Sequence, residues 1–355
     1  MISTIEKVSP SRALFLTKCA LREVFISNKL PPQLPSNPAA RMGLVLHAII
    51  DEASKGHIFD EESFEEIWKI EVSRIEEKML TSMPDKHLVP LSDSAKYYEV
   101  KKLQVWNLIR TDFLFKKGAG KPISTVKTEV WFQSKSNKIA GRIDLIKSNG
   151  EVTHIIDYKT GKVLDETGNP KEEYVLQLKL YAALYHENVG KWPDKLMLMG
   201  VDRSKHELSF DSEECNKLME SLSSTLREVN EKIAGNFPIF DLASPSPKSC
   251  RYCGYRPSCT PYWNNRDDSG QWPNDLRGEI VEKVQSKIGL IRLVIKNGDK
   301  KYIVRGLTNR HHIGDQQSGL AIFNLSKDMT SGQFIENAMT TCYGNGVIKP
   351  LCSNE

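Results

Sequence analysis

Asp144 in "GRIDLI" and Asp157 and Lys159 in "HIIDYKTGKV" are charges set among apolar and β-branched neighbours. Strands suited to burial tolerate such groups only when they are paired, because an isolated buried charge costs several kcal/mol. Two carboxylates that converge can share a divalent cation, and hard oxygen donors favour Mg²⁺ or Mn²⁺. An amine beside that ion could orient or deprotonate a water and stabilise developing negative charge. Burial would pull the Lys159 pKa down and the carboxylates would push it up; the residues alone leave the balance open. An Asp-x-Lys pair by itself reads more readily as a surface salt bridge. The second aspartate on the neighbouring arm is what points to a site.

The elements that must position these groups are strands. "VKTEVWFQ", "KIAGRIDLI" and "VTHIIDYK" alternate with period two, and Asn149-Gly150 between the last two is a hairpin signal. A two-residue turn there pairs Ser148 with Glu151 and sets Asp144 opposite Ile155. Asp157 then lies one diagonal step away on the same face, roughly 7 Å off at the backbone, with Lys159 one step further. Glu129, on the preceding strand, adds a third candidate carboxylate.

Asp144 followed after twelve residues by Asp157-Tyr158-Lys159, in the wording "GRIDLI…IIDYKTG…QLKLYAALY", resembles the PD-(D/E)XK nuclease signature in its RecB-like branch. That resemblance implies a restriction-endonuclease-like mixed sheet flanked by helices and phosphodiester hydrolysis. It implies metal ligation by Asp144, Asp157, the Tyr158 backbone carbonyl and His47 of "GLVLHAI". It also gives roles to Gln177 and Tyr181 on the helix after Lys159, where i,i+4 spacing puts both on one face. Gly43, one turn before His47, leaves room for another element to approach. The implied substrate is DNA, with a lean toward single strands and exonucleolytic cutting in repair, recombination or phage and plasmid defence. The alternative is a nuclease-fold scaffold that binds DNA beside a helicase without cutting; retention of both acids and the lysine favours catalysis. An RNA-directed or structure-specific nuclease would use the same core.

Cys250, Cys253 and Cys259 form C-x2-C-x5-C in a chain of seven cysteines. Three thiolates leave a tetrahedral zinc site or an iron–sulfur cluster one ligand short, and spacing leaves both metals and all four remaining cysteines open. The opening "SPSRALFLTKCALREVF" resembles the iron–sulfur subset of the same branch, similar to AddB-type and CRISPR adaptation nucleases. The resemblance implies Cys19 as fourth ligand and a [4Fe–4S] cluster that staples the domain rather than cutting, with Zn²⁺ as the alternative. Cys215, Cys342 and Cys352 then remain ordinary thiols.

The first 120 residues read as helical: Met42, Leu46, Ile49 and Ala53 keep helical spacing, and "EESFEEIWKIEVSRIEEKM" and "YYEVKKLQVWNLIRTDFLF" are mixed-charge helices separated from the start by a proline-rich loop. After the strands come a helix over 172–187, the strand "KLMLMGV" and a helix over 211–234, an α/β order. The expected organisation is a nuclease domain over 1–265, a polar linker over 266–278 and a small all-β, OB-like domain over 279–355. In that last segment Lys296, Lys300, Lys301, Arg305 and Arg310, interleaved with Tyr302, Phe323 and Phe334, would suit a surface that tracks a phosphate backbone.

The 355 residues are too many for one ordinary core, and the net charge of +4 is compatible with a polyanionic partner. No stretch is long and apolar enough for a membrane span and the N-terminus lacks a signal peptide's apolar centre, which together point to the cytoplasm. No G-x-x-x-x-G-K-[ST] stretch occurs, so unwinding is expected of a partner.

Overall fold

A computed structural model of the chain describes residues 2–114, 125–267, 269–314, 319–344, 348 and 351. Two short helices, α1 (Ala13–Lys18) and α2 (Ala20–Ser27), are separated by Cys19, whose backbone leaves the helical region. Helix α3 (Pro38–Ser54) starts where Pro38 can occupy the first turn and the Asn37 side chain accepts the Ala39 N–H at 2.9 Å. Its Met42, Val45, Leu46, Ile49 and Ala53 are buried at helical spacing. Helix α4 (Glu61–Leu80) opens with a reciprocal Asp60–Ser63 capping box, and α5 (Leu91–Ser94) and α6 (Tyr98–Ile109) follow. The helix expected through "FLF" ends at Ile109 and passes into a wider π turn over Arg110–Leu114.

Strands β1 (Thr125–Gln133), β2 (Ala140–Ser148) and β3 (Thr153–Lys159) lead into α7 (Glu172–Val189), then β4 (Lys195–Gly200), β5 (Lys205–Leu208) and α8 (Ser212–Ala234). The sheet order is β1-β2-β3-β4-β5, parallel only between β3 and β4, where α7 makes the crossover. Alternation along β3 sends Ile155 into a core built with α1, α2, α7 and α8, and Ile156 into a second core built with α3, α4 and α6. The fold is therefore restriction-endonuclease-like, a mixed sheet between two helical layers. The segment before α1 is fastened into it: the Ile5 N–H donates to Asn230 Oδ1 at 2.7 Å, Asn230 Nδ2 donates back to the Ile5 carbonyl at 2.9 Å, and Val8 bridges Ile139 beside β2.

The hairpin turn differs from expectation. Ser148 pairs with Thr153, so the loop spans Asn149 to Val152 instead of two residues, and Asn149 Oδ1 accepts the Glu151 and Val152 N–H groups at 3.1 and 2.8 Å. The asparagine side chain builds an Asx turn that satisfies two loop donors, and its N–H closes the loop on the Val152 carbonyl at 3.2 Å.

After α9 (Pro247–Cys250) and α10 (Thr260–Asn265) the chain forms a second, seven-stranded sheet. Its members are β6 (Leu276–Gln285), β7 (Ile291–Asn297), β8 (Lys300–Leu307), β9 (Gly319–Phe323), β10 (Ser326–Lys327), β11 (Phe334–Ile335) and β12 (Thr341–Gly344), in the order β10-β11-β8-β7-β6-β9-β12. Its first strand begins at Leu276, inside the segment expected as linker; its alternation of charged and apolar residues hides behind the polar run before it. The junction is a buried polar network. Arg256, 2% exposed, pairs with Asp275 at 2.7 Å and donates to the carbonyls of Cys250 and Cys253 at 2.9 and 3.0 Å, while Tyr262 donates to Asp275 at 2.7 Å. Asn324 accepts from Arg256 and donates its backbone N–H to Asp275. No helix among the described residues is long and apolar enough to cross a membrane.

Candidate active site and cysteine centre

The observed register places the acids side by side. Leu145 pairs with Ile156, so Asp144, next on β2, comes level with Asp157 on β3; the pairs Thr128–Leu145 and Val130–Ile143 bracket Glu129 opposite Asp144. Glu129, Asp144 and Asp157 thus form one row across three neighbouring strands. The sequence-based register was two residues out, an even shift, so the face was right although the partner was wrong. Glu129 interrupts the ladder with φ of 50°, a left-handed conformation uncommon for glutamate.

His47 arrives from α3. Its Nδ1 lies 3.4 Å from Asp144 Oδ2, and it hydrogen-bonds the Tyr158 backbone. Ligand atoms of His47, Glu129 and Asp144 all lie within 4.8 Å of one another, so the glutamate on the flanking strand belongs to the same cluster as the two residues implied by the motif. Close approach of α3 depends on Gly43, where a Cβ would meet Thr160 Oγ1, just beyond Lys159, at 3.3 Å.

Asp157 lies deeper and is 1% exposed. Lys159 Nζ sits 2.6 Å from Asp157 Oδ2 and donates to Gln177 Oε1 at 2.9 Å, while Gln177 Nε2 donates to Asp157 Oδ1 at 3.0 Å. The Gln177 amide also reaches Tyr181 Oη at 3.3 Å, and Asp144 Oδ2 accepts the Tyr158 N–H at 2.8 Å. Tyr174, one turn before Gln177, places its ring 4.6 Å from the ammonium. The sequence reading passed over Tyr174, although its i,i+3 spacing to Gln177 is the signal that would have found it.

Burial, reinforced by Asp157, holds the Asp144 carboxyl well above the usual range, and burial raises Glu129 as well. Burial lowers the His47 imidazole against the pull of Asp157. For Lys159 burial opposes the charge, but Asp157 and Asp144 outweigh it and the pKa lies above an ordinary lysine's. A neutral imidazole, two carboxylates that resist accumulating negative charge, and an ammonium that keeps its proton are the arrangement of a pocket short of positive charge.

The cysteines converge from segments that precede and follow the five-stranded sheet. Cys19 sits in the break between α1 and α2, Cys250 closes α9, and Cys253 and Cys259 follow in the loop that Arg256 organises. Burial and neighbouring cysteines, Cys19 and Cys253 among them, push the Cys250 thiol up to about 11; burial with Cys253, Cys19 and Cys250 nearby pushes Cys259 up to about 12. None of the four is joined in a disulfide. Cys215 is buried within α8 and Cys342 lies on β12 of the second sheet, packed against its core, whereas Cys352 lies outside the described residues.

Of the basic residues singled out in the second sheet, Arg305 pairs with Asp328, and Arg310 with Glu336 at 2.6 Å, so both serve the fold. Lys296 and Lys301 face each other across β7 and β8, and Lys300 lines a cavity against α10.

The model of the PD-(D/E)XK nuclease superfamily matches residues 7–260. Among solved structures, a protein from Eubacterium rectale described as a "putative exonuclease" aligns with a TM-score of 0.41 and 13% identity, over 74% of this chain and 89% of that one. No curated protein matches.

Proposed function

Because the chain belongs to the PD-(D/E)XK nuclease superfamily, we propose that it is a divalent-metal-dependent deoxyribonuclease that cuts single-stranded DNA from an end. The observation that carries this reading is the row Glu129, Asp144 and Asp157 on adjacent strands, with Lys159 closing on Asp157. The donor set suits Mn²⁺ or Mg²⁺: carboxylate oxygens supply hard ligands, and the buried carboxyl of Asp144 gains from a nearby cation. Glu129, Asp144, Asp157, His47 and the Tyr158 carbonyl would hold the metal. When bound, it polarises the phosphoryl oxygen and lowers the pKa of an attacking water.

The chain's own groups do the rest. Lys159, kept protonated by its acids, balances negative charge on the phosphoryl group, which assigns it charge stabilisation in preference to proton abstraction. Gln177 fixes Lys159 and Asp157 relative to each other, and Tyr181 steadies Gln177. A [4Fe–4S] cluster on Cys19, Cys250, Cys253 and Cys259 would fasten the ends of the domain and take no part in hydrolysis. Action beside a helicase in repair or defence fits this chemistry.

The test is cleavage of end-labelled single- and double-stranded DNA with Mg²⁺ and with Mn²⁺, beside Asp157→Ala and Lys159→Ala. Loss of cutting in both variants, with shortening from one end in the wild type, is the expected result. A wild type that binds DNA without cutting under either metal would leave the scaffold reading in its place.

A further inference from the structure

A cavity of about 400 Å³ opens between α10, the turn after it and the second sheet, far along the sequence from the acid row. Trp263, Trp272 and Tyr302 line it with three aromatic rings, and Arg277, Lys300 and Lys327 bring cations to its rim. Arg277 lies 4.6 Å over the Trp263 ring, and Lys327 lies 5.9 Å over that of Phe334. Asp267, exposed at the same cavity, accepts the Ser269 N–H at 2.8 Å and hydrogen-bonds the Trp272 side chain, so its carboxylate is already engaged by the protein. A second cavity, of about 570 Å³, shares Trp263, Arg277 and Asn297 with the first and continues toward Pro257 and Thr260 beside the cysteine loop.

Rings alternating with cations along a continuous groove match one ligand chemistry well. Bases stack on aromatic faces whatever their identity, and phosphates follow the cations between them. A duplex hides its base faces, so the rings would be idle against it. The shared wall of two cavities gives the groove a length beyond one nucleotide. We propose that this groove binds single-stranded nucleic acid, stacking bases on Trp272 and Tyr302 and pairing phosphates with Arg277, Lys300 and Lys327. It is a site separate from the acid row and does not depend on that row cutting anything. Of the basic residues that the sequence offered as a phosphate track, Arg305 and Arg310 are replaced in this role by Arg277 of β6 and Lys327 of β10, beside Lys300 of β8.

Fluorescence anisotropy of the full chain in EDTA, with fluorescein-labelled oligo(dT) and oligo(U), reads binding without cleavage. Arg277→Glu and Lys327→Glu, both at exposed positions, are each expected to weaken binding about tenfold and to reduce the salt slope by about one. Trp272→Leu is expected to weaken binding with the slope unchanged, since it removes stacking and no charge. Tighter binding of one oligonucleotide names DNA or RNA as the source. Equal affinity of all three variants and the wild type overturns the proposal, as does displacement of the oligonucleotide by thymidine monophosphate at equal nucleotide concentration. If Trp272→Leu fails to fold, the two charge reversals carry the test alone.

Discussion

Lys159 and Asp157 stand two residues apart on one strand and bring their charged ends to 2.6 Å, with the Gln177 amide closing the third side of the triangle. Removing one member of such a pair costs more than removing both, because the survivor stays buried without compensation. Asp157→Ala and Lys159→Met should each abolish cutting and lower thermal stability, whereas the double variant should regain much of the stability and none of the activity. Thermal melts beside a cleavage assay decide this; a double variant less stable than either single one would contradict it.

Gln177→Leu removes the hydrogen bonds to Lys159, Asp157 and Tyr181 while roughly keeping the side-chain volume. Cleavage should fall by about 10- to 100-fold, with KM for DNA little changed, because the amide orients Lys159 and does not reach substrate. A rise in KM with kcat intact would instead place Gln177 against DNA.

Asp144 and Glu129 both have carboxyls raised by burial. A raised folded-state pKa makes the proton stabilising, fully so below the unfolded value, and that contribution is lost as pH rises through the folded one. Around neutral pH the row therefore lacks compensation, and a cation restores it. The Mn²⁺-induced rise in melting temperature should be larger at about pH 8 than at about pH 5, where protons compete for the same oxygens. Scanning fluorimetry at the two pH values measures it, and Asp144→Asn should flatten the difference.

Cys19→Ser should remove most of the iron, from about four atoms per chain in the wild type purified anaerobically, with loss of broad visible absorbance. Stoichiometric zinc in a colourless wild type would replace the cluster with the tetrahedral alternative.

Arg256→Met leaves Asp275 buried without its partner and frees the carbonyls of Cys250 and Cys253. A loss of about 3–5 kcal/mol in stability is expected, together with faster loss of iron on exposure to air. Urea denaturation and iron release kinetics check the two parts separately.

Much of this arrangement was legible because it is local. The helical spacing of α3 and the alternation of β1 to β3 fix which faces are buried, and an even error in the hairpin register left Asp144 and Asp157 on a shared side. Less local features were not. Asn149 signals a tight turn with Gly150, yet its side chain satisfies the longer loop. The polar run before Leu276 masked β6, and the spacing of Arg256 and Asp275 says nothing about their meeting. The placement of Glu129 beside His47 depends on a backbone conformation that glutamate rarely adopts, which no propensity foretells.

The grip of Asn230 on Ile5 joins residues 225 apart. On a ribosome adding roughly 5–20 residues per second, the first strand-like segment waits on the order of ten seconds or more for its partner. Until α8 has emerged, Ile5 and Val8 have no complete socket, and the core they finish stays open to water. Completion of that core thus waits for α8, and deleting residues 1–8 should harm solubility before it harms chemistry.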